Sequence, residues 1–163
     1  MSGFKLSNDV HSPDHIGIVL WELERLISWL HDASVRASVA GKRTAEKEVH
    51  LSAYLLGVLK DAGVSPEDLP GLEQLQATLQ AVREQAPVAH MVLTALPNRS
   101  LKRQLVEWFR KEIHQQCLLT FAVRSDLGGG FLLRVGSEQY DFTFRGRLLE
   151  NRHRIAEIFD GVR

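Results

Sequence analysis

A chain of 163 residues with 44% hydrophobic and 25% charged residues carries enough apolar material for one ordinary domain or two small ones, far from the composition of disordered chains. Its formal net charge is zero, yet residues 1–98 hold 8 Lys/Arg against 12 Asp/Glu (−4) and residues 99–163 hold 12 against 8 (+4). Cys117 stands alone, which excludes an intrachain disulfide, and no apolar run approaches the roughly 20 residues of a membrane span, so membrane insertion is not expected.

Residues 1–11 read as a loose tail without the apolar core of a secretory leader, and a cytoplasmic location is expected. Ser12-Pro13-Asp14 is a helix start: a hydroxyl cap, proline at the first helical position and an acid near the positive dipole end. Ile16, Val19, Leu20, Leu23, Leu26, Ile27 and Leu30 then form one stripe, predicting a helix toward Ala40 that stops near Gly41. Thr44, with Glu46 and Glu48 behind it, is the expected cap of a second helix ending at Gly63. That helix carries two neighbouring rows, Val49-Ala53-Leu56-Lys60 and Leu51-Leu55-Leu59. After a short turn at Ser65-Pro66, interrupted by Pro70-Gly71, a third helix over 71–85 uses Leu72, Leu75, Leu79 and Val82.

Pro87 marks a change of character. Val88–Ala95 is a short apolar run flanked by prolines and reads as a strand. A helix then starts at Asn98 or Ser100, with Leu101, Leu105, Trp108, Phe109 and Glu112 or Ile113 spaced for one face. Leu118–Val123 is strand-like. Gly128-Gly129-Gly130 leads into an alternating strand with Phe131, Leu133 and Val135 on one side, followed by a four-residue polar turn. Tyr140, Phe142 and Phe144 share a face of the next segment and are expected in the core; a helix over 147–160 with Arg152, Ile155 and Phe159 closes the chain. The pattern predicts an α+β protein: an N-terminal antiparallel helical bundle over 1–86 and a small β-α-β-β-(β)-α domain over 87–163.

Little in this pattern carries chemistry. His11 and His15 have i, i+4 spacing, but Pro13 lies between them at a coil-to-helix junction, and no cysteine joins any histidine; metal sites and cofactors are not expected. The glycine triplet feeds a strand rather than a helix, so it is no phosphate cradle, and no direct nucleotide binding is expected; a turn at positive φ or a close backbone approach is the simpler account. No nucleophile sits beside a base, so no catalytic residues are assigned. Trp21 and Trp29 flank the stripe of the first helix; core or core-edge packing is the default, a groove for a partner helix the alternative. Arg145, Arg147, Arg152 and Arg154, with Lys102, Arg103, Arg110 and Lys111, form two basic helix faces open to solvent, to an acidic helical partner or to nucleic acid, the last disfavoured by the modest charge.

Several short motifs recur in a known order. Val92-Leu93-Thr94-Ala95-Leu96-Pro97 ends the first strand; Leu127-Gly128-Gly129 opens a later one, followed by Phe131–Val135, Gly136, Asp141 and Arg145-Gly146-Arg147-Leu148. Across about 88–150 this series resembles the C-terminal domain of the F-type ATP synthase delta subunit, the oligomycin-sensitivity-conferring family. A related hairpin-and-helix pattern looks similar in a peripheral-stalk component of archaeal and vacuolar ATPases. The family's N-terminal bundle has more helices than the three read here, and bulky Phe142-Thr143-Phe144 stands where small residues are usual. The resemblance implies a non-catalytic stator part of the peripheral stalk, held to the inner face of the cell membrane through its complex. It implies an ATP synthase alpha subunit as partner of the first half, at Trp21 and Trp29. It implies the b subunit as partner of the second, around Gly128, Gly129, Gly130, Arg145, Arg147 and Leu148. A small nucleic-acid-binding regulator using the basic half is the alternative.

Overall fold

The computed structural model describes residues 6–40 and 50–150. Its elements run α1 (Pro13–Ala40), α2 (Ala53–Ala62), α3 (Leu69–Gln85), β1 (Val88–Leu93), α4 (Arg99–Glu112), β2 (Leu118–Val123), β3 (Phe131–Val135), β4 (Glu138–Asp141) and α5 (Phe144–Glu150), with a 3-10 turn at Ser125–Leu127. The protein is therefore α+β, with five helices and one four-stranded mixed sheet among the described residues. The expected stop at Gly41, the cap at Thr44 with Glu46 and Glu48, and the later part of the last helix with Arg152, Arg154, Ile155 and Phe159 lie outside them.

Local chemistry explains most helix ends. Ser12 Oγ accepts the His15 amide at 3.2 Å, and Asn98 Oδ1 accepts the Leu101 amide at 2.9 Å. α2 is capped by Ser52, whose hydroxyl accepts from Leu55 N–H at 3.2 Å, while Gly63 ends it at φ +66°. The expected interruption at Pro70-Gly71 does not occur. Proline is tolerated in a first turn, where its missing N–H has no intrahelical acceptor, and α3 runs through it.

Two apolar clusters hold these elements together. The first joins Ile16, Val19, Leu23, Leu26 and Ile27 of α1 to Leu55, Val58 and Leu59 of α2 and to Leu72, Leu75, Leu79 and Val82 of α3. Of the two rows read in α2, the one with Leu55 and Leu59 turns inward and Leu56 is exposed. The second cluster lies between α4 and one face of the sheet, built from Ala89, Met91, Leu119, Val106 and Phe109 with Phe131, Leu133 and Val135 packed against it. Each such side chain removed from water contributes about 2 kcal/mol before conformational entropy is subtracted.

Strand order is β2-β1-β3-β4, with β1 and β2 parallel and the other pairs antiparallel. Parallel pairing needs a crossover, which α4 supplies. Alternation sends Ala89, Met91 and Leu93 to the α4 side and Val88, His90 and Val92 to the other. There His90 Nδ1 meets the cross-strand Thr120 hydroxyl at 2.7 Å. Only Val88 and Leu118 from the sheet reach the first cluster.

Four further expectations are corrected. Of the tail, residues 1–5 lie outside the described residues and 6–11 are not loose: Leu6 and Val10 are buried in the first cluster, and the segment forms a strap over α4 and β2. α4 is rotated from the expected face, burying Val106, Phe109 and Arg110 while Leu101, Trp108 and Ile113 are exposed, because its buried side must meet both sheet and strap. Val135 pairs with Glu138, so the hairpin turn is two residues, Gly136-Ser137, with Gly136 at φ +60° as a tight hairpin requires. Finally β4 stops at Asp141, and Tyr140, Phe142 and Phe144 are exposed rather than core.

Arg110 organises the strap. At 7% exposure its guanidinium donates to Leu6 O at 2.6 Å, Ser7 O at 3.0 Å, Asn8 Oδ1 at 3.1 Å and Val10 O at 2.8 Å, and Nε reaches Cys117 O at 3.4 Å. Burial pushes its pKa down to about 10, with the nearby Cys117 opposing weakly, so it remains a cation at neutral pH. Among the described residues no buried side-chain nitrogen or oxygen lacks a partner. We expect Arg110→Met to cost about 3 kcal/mol in chemical denaturation, because four strap acceptors lose their donor together. Arg110→Lys, with one ammonium for a planar fork, should recover only part of it.

Candidate partner-binding surfaces

The glycine triplet, the end of β4 and the start of α5 form one junction. Gly128, Gly129 and Gly130 all have positive φ, at +66°, +115° and +80°. A Cβ on Gly130 would collide with the Phe142 carbonyl and lie 2.8 Å from Thr143 Cα; one on Gly129 would enter the Phe144 ring. Both positions therefore need glycine for conformation and for space. The approach is held by Phe142 N–H to Phe131 O at 2.9 Å and Phe144 N–H to Gly129 O at 3.2 Å.

Asp141 and Thr143 then turn the chain into α5. Asp141 Oδ1 accepts the Thr143 amide at 2.8 Å, Thr143 Oγ1 accepts the Gly146 amide at 3.0 Å, and Thr143 is buried. Hydrogen bonds from the Thr143 hydroxyl and N–H, with Arg145 nearby, hold the Asp141 carboxyl below its usual range. The side-chain cap competes with strand continuation, and here it wins. α5 emerges with its apolar residues largely open among the described residues: Phe144, whose ring lies against Gly129, and Leu148 are 63% and 62% exposed, and Leu149 is exposed beside them. Arg145 and Arg147 are exposed on the same helix. The structure thus brings Gly128–Gly130 together with the start of α5, the helix that carries Arg145, Arg147 and Leu148.

A second exposed surface lies on α1. Trp21 is 56% exposed, against the core preference, and the Arg25 guanidinium carbon lies 4.7 Å from its ring centroid. Trp29 is half-buried against the first cluster. The two rings line one shallow depression with Glu24, Arg25, Ser28 and Asp32. Trp108 is also exposed, its ring edge-on to Phe109.

Chemical groups elsewhere are engaged structurally. Among the described residues no cluster of three or more His, Cys, Asp or Glu side chains is placed to hold a metal ion. Cys117 is buried and its thiol is pushed up by that burial, away from the nucleophilic thiolate. His11 and His15, expected as solvated, sit edge to face with centroids 4.6 Å apart, and Arg110, placed on a solvated basic face by its spacing, is buried. Sequence reasoning missed the strap and its arginine; the available signals were the Leu6–Val10 spacing and an arginine four residues after Val106 on a buried row. No helix is long and apolar enough to cross a membrane among the described residues. No protein-family model matches this chain, and no curated protein matches it by sequence.

We expect Gly130→Ala to cost about 3 kcal/mol or more in thermal or chemical unfolding, since strain and collision coincide. Asp141 has a lowered folded pKa, so its contribution is complete above its ordinary value near 4 and fades as pH falls through the folded value. Asp141→Asn should flatten that acid limb of the stability–pH curve and leave its shape at neutral pH unchanged.

Proposed function

We propose that this chain is a non-catalytic peripheral-stalk subunit of an F-type ATP synthase, linking the catalytic head to the b-subunit stalk and resisting rotor torque. The observation that carries the reading is the junction at Gly128–Gly130. Motifs that are separate in the sequence, Leu127-Gly128-Gly129, Asp141 and Arg145-Gly146-Arg147-Leu148, meet around one turn whose outer helix exposes apolar residues among the described ones. That convergence supports the family resemblance over 88–150 and fits a surface that holds another helix. The first 86 residues then act as a short antiparallel helical bundle that grips an alpha subunit through the Trp21–Trp29 depression, while α5 and the glycine turn hold the b subunit. Attachment to the inner face of the membrane is through the complex.

Coherence with the remaining residues supports the same role. A stator transmits force through packing, and exposed aromatic and leucine side chains beside cations suit such contacts. Purified head and stalk subunits from the same source are the direct test, with binding measured by calorimetry. Trp21→Ala should weaken head binding roughly tenfold or more, and Leu148→Asp should do the same for the stalk, each without loss of melting temperature. Retention of nucleic acid with no affinity for either subunit would overturn the assignment.

A further inference from the structure

Three kinds of contact hold the strap, and one of them can change charge between neutral and mildly acidic pH. Leu6 and Val10 are apolar, and the Arg110 guanidinium stays protonated across that range. His11 is different. Its carbonyl accepts the Leu119 amide at 2.6 Å, and its Nδ1 lies 3.2 Å from Leu119 O. A carbonyl only accepts, so Nδ1 carries the proton of the neutral ring and Nε2 is the atom left to be protonated. Both bonds fasten the strap to the outer edge of β2. Among the described residues Nε2 has no hydrogen-bond partner.

The surroundings of this ring are cationic or apolar. From α1, His15 lies against it at 4.6 Å between centroids; from β2, Phe121 meets it edge-on at 5.5 Å. Lys102 and Arg110 face it from α4. The strap's own acid, Asp9, is paired with Arg99 of α4 at 3.3 Å, and its carbonyl accepts from His15 Nδ1 at 3.1 Å. Tyr54 of α2 packs against His15 at 5.2 Å, and Asp14 in the first turn of α1 is exposed.

We propose that His11 is the trigger of an acid-released latch: while its ring is neutral the strap lies docked across α4 and β2, and its protonation undocks residues 6–11. A second proton at Nε2 sets a half-buried cation against Lys102 and Arg110 and beside the His15 ring, with Asp9 already engaged. Burial, then these charges, hold the pKa of His11 below its ordinary value, although the bond to Leu119 opposes them. A free strap therefore binds the proton more readily than a docked one. Docking is strongest above the ordinary histidine pKa near 6.5 and weakens as pH falls through that value toward the lower docked one.

Hydrogen exchange on the full chain from about pH 7.5 to about pH 5 tests the latch, once rates are corrected for their intrinsic pH dependence. The Leu119 amide and the Val10 amide, which donates to Ser7 O at 3.0 Å, report docking; the Leu79 amide inside α3 is the control. We expect the two reporters to lose protection by up to roughly tenfold for each unit between the free and docked pKa values, with Leu79 unchanged. His11→Asn keeps a neutral donor near the Nδ1 position and should abolish the dependence. Constant corrected protection in the unaltered chain, or an equal loss in the variant, overturns the proposal. If the variant is undocked at every pH, the NMR titration of His11 in the unaltered chain decides. A midpoint below that of free histidine, coincident with loss of Leu119 protection, supports the latch, and a midpoint at or above it overturns it.

Discussion

A cation at the centre of the molecule imposes the constraint on which the rest depends. A buried guanidinium is tolerated only when its donors are used, and Arg110 uses them on five acceptors, four of which belong to the strap. The dependence runs both ways. Without the strap, the Arg110 guanidinium would keep only the Cys117 carbonyl as acceptor; without Arg110, the strap carbonyls would lose its donors. Since Val88 and Leu118 are the sheet residues that reach the first apolar cluster, the strap adds a second tie between that cluster and α4. The sequence asymmetry of charge has a structural echo here, because a cation of the basic half secures residues 6–10 of the acidic half.

Regular elements were legible because their signals are local. Ser12-Pro13 and Asn98 start helices by satisfying amides within three residues, Gly63 ends one, and period-two alternation placed β3 with its observed bounds. The strap was illegible for the opposite reason: its partner lies about a hundred residues away, and nothing within residues 6–11 announces an arginine's fork. The face of α4 was misjudged because leucine, tryptophan and isoleucine outrank arginine on any hydropathy scale, whereas burial of Arg110 is decided by carbonyls that another segment brings. At the end of β4, alternation through Phe144 competed with an Asp-x-Thr cap, and hydrogen bonding settled it. The candidate site was legible in part. Three consecutive glycines signalled a close approach, but that Phe142, Thr143 and Phe144 are what approaches is a tertiary fact.

The distribution of polar chemistry bears on what kind of protein this is. Arg110 satisfies a strap, Asp141 and Thr143 turn a strand into a helix, and His90 with Thr120 bridges β1 to β2. Outward on α1, α4 and α5 stand exposed aromatic and aliphatic side chains, among arginines, lysines and acids.

The separation of more than a hundred residues between Leu6 and Arg110 also bears on how the protein is made. Synthesis delivers residues 6–11 about a hundred residues before Arg110, so the strap has no receptor until α4 and β2 have been translated. The helices can collapse while the strap trails, and the parallel pairing of β1 with β2 must wait for the crossover between them. Residues 6–11 are then among the last to reach their final place, and a nascent chain halted before Arg110 lacks the group that would seat them.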